Sequence, residues 1–280
     1  MSTEVLAVVL FSALLHAGWN AAVRASADKL AASWQVVCGA ALCALPLLFI
    51  LPLPAPASWP FLFASGLIHV LYFALVARAY QGTGLGLAYP LMRGSAPVLT
   101  AAAAALWLHE LPAPLGWLGI ALICTGVLAL AGGAWRQGLQ HPGALLAALA
   151  NAAVIALYTL ADGQGVRLAG HALAYTTWLF ALTALFMLPV LLAARGRTVL
   201  RAASYSARVL LLGGAGTLGA YSLVLWAMVQ APIASVAALR ETSIVFAALI
   251  AALVLREGLG RLQLGCAALV CAGAVLIRLG

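Results

Sequence analysis

Arg93 and Arg240 lie inside long apolar runs, 147 residues apart. A guanidinium at membrane depth is costly and asks for a reason. It is also the side chain that binds a carboxylate bidentately. One or both arginines are therefore expected to hold the acidic group of a substrate, with Arg93 the better placed. The competing reading is that they pair internally with Glu241, Asp162 or backbone carbonyls, or snorkel to an interface. Glu241 adjoins Arg240, but neighbours in sequence do not face each other on a helix. As an acid at membrane depth, Glu241 is the residue expected to take part in any proton coupling, against the plainer reading of a structural ion pair.

Other polar and aromatic residues could line the same site. His16 and Asn20 stand one helical turn apart with Trp19 between them, and could donate to an amino or carboxyl group or bond another helix. His69 and Tyr72 share a face at i, i+3, and Tyr89 precedes Arg93 by one turn. Asn151 and Tyr158 stand seven residues apart, and Tyr221 lies in a glycine-rich apolar run. Aromatic walls with a few polar anchors suit a small amphipathic solute. Each aromatic alone could equally be packing, or part of the interfacial belt expected of Trp59, Trp107, Trp117, Trp135 and Trp178. Glu110 and Glu257, beside His109 and Arg256, read as caps or loop anchors. Gly213, Gly216 and Gly219 form a stripe suited to close helix packing.

Catalytic and metal chemistry are not expected. The five cysteines, Cys38, Cys43, Cys124, Cys266 and Cys271, lie in apolar runs without CxxC or histidine spacing, so they read as packing residues. No His-Glu-x-x-His occurs, and Ser95 lacks the glycine context of a membrane protease nucleophile. No P-loop is present, no ring of like charges suggests a channel filter, and no cofactor is expected.

The elements that must position these residues follow from composition. Of 280 residues, 66% are hydrophobic and 7% charged, with a mean hydropathy of +1.12. Soluble domains run near 45–50% apolar and 25% charged, so lipid must be the solvent for most of this surface. Continuous apolar runs rather than alternation mean helices. Spans of roughly 20 residues fit near 4–23, 30–51, 59–80, 86–107, 114–134, 142–161, 171–193, 207–228, 231–255 and 260–279. The first lacks a basic n-region and a cleavage site, and reads as a span rather than a signal peptide. The net charge of +8 sits at span ends, so it is a topology signal and not a nucleic-acid footprint. Ten Lys and Arg fall in loops on one side and two on the other, which places both termini outside the cytoplasm.

Residues 93–133 align without a gap on 240–280, and 14 of the 41 positions are identical. The pairs Arg93/Arg240, Glu110/Glu257, Cys124/Cys271 and Gly126/Gly273 carry the match. Two halves of five spans, 1–138 and 139–280, must run in opposite orientations, a plan shared by secondary transporters with sites near the midplane.

Pro97-Val-Leu-Thr…Leu106-Trp-Leu-His109-Glu110…Gly119…Gly126, and its second copy Ile244-Val-Phe…Leu253-Val-Leu-Arg256-Glu257…Gly265…Gly273, resemble the repeat signature of EamA-type members of the drug/metabolite transporter superfamily. The resemblance implies a ten-helix, all-α polytopic membrane protein, two inverted five-helix repeats around a central cavity lined by spans 1, 3, 4, 6, 8 and 9. It implies export of amino acids, nucleosides, drugs or other metabolites; taken with the arginines and aromatic residues above, small amphipathic metabolites, amino acids first and aromatic or apolar ones among them, are the expected cargo across a bacterial inner membrane. A flippase for a lipid-linked solute is the alternative within transport. The expected partners are the small-molecule substrate and membrane lipid. A monomer suffices, because two halves can close one cavity.

Overall fold

The computed structural model describes residues 1–24, 29–132, 134–196, 206–207, 209–253, 256, 258 and 260–280. Most of the described residues are helical, and none of them is in a strand. In chain order the helices are α1 (Thr3–Arg24), α2 (Lys29–Ile50), α3 (Trp59–Trp107), α4 (Pro114–Ala129), α5 (Ala134–Leu139) and α6 (Pro142–Ala169). They continue as α7 (Ala172–Arg195), α8 (Gly214–Gln230), α9 (Ile233–Leu239), α10 (Ser243–Leu253) and α11 (Arg261–Leu279). Among the described residues, seven helical stretches are long and apolar enough to cross a membrane, and Trp34–Ile50 and Pro114–Ala129 are shorter apolar helices. Large apolar side chains such as Phe49 (88% exposed) and Leu253 (78%) face outward, as lipid contact requires and water would not favour.

Sequence punctuation marks most helix ends, with three informative exceptions. The turn expected at Gln81–Gly84 is absent, and α3 runs on as one helical element of 49 residues. Helix-interior glycine costs only about 1 kcal/mol relative to alanine, so Gly82 and Gly84 do not force a break. The loop expected around Trp135–Gly138 is the short helix α5. Third, α6 does not end at 161 but continues to Ala169 through Asp162-Gly163-Gln164-Gly165, a string that reads as a turn. The reason lies at Gly165, where an added Cβ would fall 2.6 Å from Cε2 of Tyr175 and 2.7 Å from Cβ of Phe61. The glycine is there to admit neighbouring rings, not to turn the chain.

The chain divides into two units. Unit 1 comprises Met1–Leu14, Leu71–Leu160 and Gln230–Gly280; unit 2 comprises Leu15–Val70 and Ala161–Val229. Each unit therefore draws segments from both sequence halves.

In unit 1, α4 packs along α11, its counterpart in the internal repeat. A Cβ on Gly119 would meet the Gly273 carbonyl oxygen at 2.6 Å, and one on Gly126 would meet the Cys266 carbonyl oxygen at 2.9 Å. Rising residue numbers on one helix meet falling numbers on the other, so the two equivalent helices run antiparallel. Repeat equivalence carries Gly119 onto Cys266 and Gly126 onto Gly273, so each contact maps onto the other, as a local two-fold requires. The helix ends preceding these two obey the same symmetry. His109 and Arg256, equivalent residues, hold left-handed backbones with φ of 56° and 57°. At the first, the N–H of Glu110 reaches back to the Ala104 carbonyl at 3.2 Å, closing the end of α3.

In unit 2, α2 packs against α7 and against a π-helical turn at Val209–Gly213 that leads into α8. Close approach there is made by Gly39 and Gly214, where a Cβ on Gly214 would fall 2.6 Å from the Cα of Gly39. The expected stripe of Gly213, Gly216 and Gly219 does not act as one surface: Gly213 faces Val36, Gly216 faces Trp19, and Gly219 has no neighbour within 4 Å. In a helix, positions three apart drift around the axis, so one stripe can serve different neighbours.

Candidate functional site

The polar residues singled out by sequence fall into two groups, one in each unit. In unit 1, Glu241 lies in a 3₁₀ turn, Arg240–Thr242, between α9 and α10. Eight residues separate it from Ile233, which puts it about 12 Å along the helical run. Asn151, nine residues into α6, lies at a comparable depth of about 13 Å, near the middle of a ~30 Å hydrocarbon core.

Arg93 Nη2 stands 2.8 Å from Glu241 Oε1, and both side chains are buried. Internal pairing with Glu241, the competing reading for the arginines, is thus what Arg93 makes, and the pair is formed across the fold and not between the sequence neighbours Arg240 and Glu241. Arg240 is only half-buried and acts on Glu241 through its charge. The ion pair leaves much unsatisfied. Arg93 Nε, Glu241 Oε2, Asn151 Oδ1 and Ser243 Oγ are buried without a hydrogen-bond partner among the described residues. Asn151 Nδ2 approaches Met92 Sδ at 2.9 Å, a weak acceptor. Leaving a buried polar atom unpaired costs about 1–3 kcal/mol.

Aromatic residues surround this group. Tyr72 and Tyr158 meet edge to face with centroids 5.8 Å apart. Tyr89, Tyr158 and Tyr72 all lie close enough to act on the charge of Arg93. Sequence equivalence also links the backbones at this point. Pro97 has no N–H to give the Arg93 carbonyl four residues earlier, so the α-ladder is broken there. The second copy has Ile244 instead, yet its ladder is broken too, by the 3₁₀ turn that begins at Arg240.

The remaining candidates sit in unit 2 and are engaged differently. Asn20 Nδ2 donates to the His16 carbonyl at 2.9 Å, a local bond within α1. His16 meets Trp19 edge-on with ring centroids 5.1 Å apart, and Trp19 packs on Gly216 and Val36, its buried indole Nε1 without a hydrogen-bond partner among the described residues. His69 and Tyr221 belong with Asp162, a residue that sequence reasoning treated only as a partner for the arginines. The Tyr221 hydroxyl donates to Asp162 Oδ2 and that of Tyr175 to Oδ1 at 3.2 Å. The missed signal was an acid followed within five residues by Arg167 in an otherwise apolar run, hidden by the glycines that seemed to end the span. Trp59 and Trp178 pack on each other at 5.0 Å. Glu110 is the anchor expected of it: its Oε2 accepts the Ile233 N–H at 3.0 Å at the start of α9. Glu257 lies outside the described residues.

The EamA-like transporter family model matches residues 3–132 and again 142–279. The chain belongs to that family. Both copies of the match together span nearly the whole sequence, so this EamA-like protein is an integral membrane transporter built as two repeats. Its relatives in the family are transporters and not enzymes. A solved crystal structure, described only as that of a protein, is similar over 100% of this chain and 99% of its own, with a TM-score of 0.76 at 15% identity. That likeness supports the fold of the EamA-like chain alone. No curated protein matches it.

Proposed function

We propose that this EamA-like transporter exports amino acids, aromatic or apolar ones foremost, by alternating access, and that the Arg93–Glu241 group is where the substrate binds. The observation that carries this reading is the set of buried polar atoms left without partners among the described residues: Arg93 Nε on one side, Glu241 Oε2 and Asn151 Oδ1 on the other. Donors suit a carboxylate and acceptors suit an ammonium, which together describe a zwitterion. Tyr72, Tyr89 and Tyr158 supply an aromatic wall for its side chain. Helices interrupted at equivalent places, by Pro97 and by the 3₁₀ turn, are a common way for transporters to expose backbone polar groups at a site.

Ten spans in two inverted halves fit this reading, and the antiparallel α4–α11 pair supports the inversion. The charge bias of the loops orients both termini away from the cytoplasm of a bacterial inner membrane, and one chain suffices as a monomer. Uptake of labelled phenylalanine, leucine and alanine into proteoliposomes tests the proposal. Saturable flux that is lost in Arg93→Ala supports it. A folded protein that moves none of the three would overturn it and bring lipid-linked solutes forward.

A further inference from the structure

Asp162 is fully buried. It lies seven residues before α6 ends at Ala169, about 10 Å along the helix. Two hydroxyls from two other helices converge on it, Tyr175 of α7 at Oδ1 and Tyr221 of α8 at Oδ2, while Ser65 of α3, which also acts on its charge, holds its hydroxyl 3.2 Å from His69 Nδ1. His69, one turn beyond Ser65 on α3, also faces the carboxylate through its charge, and its ring meets that of Tyr221 edge-on with centroids 6.5 Å apart. Arg167, five residues further along α6, turns its Nε to the Met228 carbonyl at 2.8 Å.

An isolated buried carboxylate is among the most costly groups a protein can hold, and it survives by pairing, by hydrogen bonding or by taking a proton. Here hydroxyl donors meet both oxygens, and the cation facing the group is a histidine, the side chain that gains and loses charge near neutral pH. The tautomer is set locally. His69 Nδ1 stands 2.8 Å from the Ser65 carbonyl, which can only accept, so Nδ1 carries a hydrogen and Nε2 is the atom that titrates. The two partners also differ in access, since Asp162 has no exposed surface and His69 is half-buried.

We infer that Asp162 and His69, held by Ser65, Tyr175 and Tyr221, form a proton-loading site of the transporter, separate from the Arg93–Glu241 group. Loading adds one proton and one positive charge to the pair, and release removes both. The hydroxyls serve either state, because each can donate to the carboxylate or turn and accept from the carboxylic acid.

Infrared difference spectroscopy on the full-length protein in liposomes, stepped from alkaline to acid pH, reads the site without a substrate. Its outcome is therefore independent of the amino-acid reading. Wild type is expected to show a protonated-carboxyl band together with imidazole bands that change in step with it. Asp162→Asn removes the carboxyl band, and Glu241→Gln leaves it. His69→Gln removes the imidazole component and moves the pH at which the carboxyl band appears. Should Asp162→Asn fail to fold, Tyr221→Phe keeps the carboxylate and must change both the frequency and the pH midpoint of the band. A wild-type protein with no band sensitive to Asp162 or Tyr221 replacement would overturn the inference, as would a band that persists unchanged in Asp162→Asn.

Discussion

Replacing Arg93 and Glu241 separately and together divides a structural pair from a binding pair. Both side chains are more than nine-tenths buried, and their charged atoms lie 2.8 Å apart. Removing one partner strands a charge away from water, which costs about 3–5 kcal/mol. At about 1.4 kcal/mol per factor of ten, that is a loss of roughly two to three and a half powers of ten in the folding equilibrium for Arg93→Met or Glu241→Leu. The double variant Arg93→Met/Glu241→Leu strands nothing and keeps similar volume, so it is expected within about 1.5 kcal/mol of wild type, or more stable. The interaction energy from the cycle should then be about as large as the two single losses together. Unfolding in detergent titrated with a denaturing detergent measures stability, and proteoliposome flux measures function. The expected result is a double variant that is as stable as wild type and does not transport. Wild-type flux through that variant would refute the assignment of the pair to substrate binding. Single variants that lose less than about 1 kcal/mol would refute the claim that the charges are buried as a pair.

Three further outcomes follow from the packing. Glu110→Ala removes the acceptor at the start of α9 and should cost about 1 kcal/mol, read as faster hydrogen exchange at Ile233 and the residues after it, whereas Glu110→Gln keeps an acceptor and much of the protection. His109→Gly relieves a left-handed backbone and should raise the melting temperature in detergent by the equivalent of up to about 1 kcal/mol, while His109→Val should lower it by more than that. Gly119→Ala would place a Cβ 2.6 Å from the Gly273 carbonyl and 2.7 Å from Ile277, and should destabilise by about 1–3 kcal/mol. Gly265→Ala, on α11 with no neighbour within 4 Å, should be neutral or stabilising by less than about 1 kcal/mol. Equal losses for these two glycines, measured in one unfolding assay, would sink the α4–α11 contact.

The helices and the repeat are legible in sequence because lipid imposes one strong rule on every span, an apolar run that satisfies its own backbone. Positions of charged residues inside those runs are legible for the same reason, and Arg93 with Glu241 emerges from that cost alone. Partner choice is not legible. Arg240 adjoins Glu241 in sequence, but side-chain direction on a helix sends the close contact to Arg93 on α3. The Asp162 group is missed because Asp162 falls just past the span expected at 142–161, where glycines after an aspartate usually mark a turn. At Gly165 the rule fails because Tyr175 and Phe61, distant in sequence, occupy the space a side chain would need. The same long-range packing explains why Gly39 and Gly214 meet while the apparent stripe on α8 does not act as one face.

The symmetry of the chain and its chemistry part company at Glu241. Backbone features obey the repeat: the antiparallel glycine contacts of α4 and α11, the left-handed residues His109 and Arg256, and a broken α-ladder beside each arginine. Glu241, however, is matched by Gly94, where a Cβ would meet the Leu128 side chain at 2.7 Å and no carboxylate could fit. A symmetric scaffold allows two equivalent states of similar energy, as a carrier that alternates between two faces needs. A substrate with distinct acidic and basic ends gains nothing from two identical anchors. One arginine paired with one carboxylate orients such a molecule, and the duplicate arginine at 240 lies beside that carboxylate as a second, more exposed charge. On this argument Arg240→Gln should weaken flux less than Arg93→Gln, and equal losses in the two variants would mean that the arginines act as a symmetric pair.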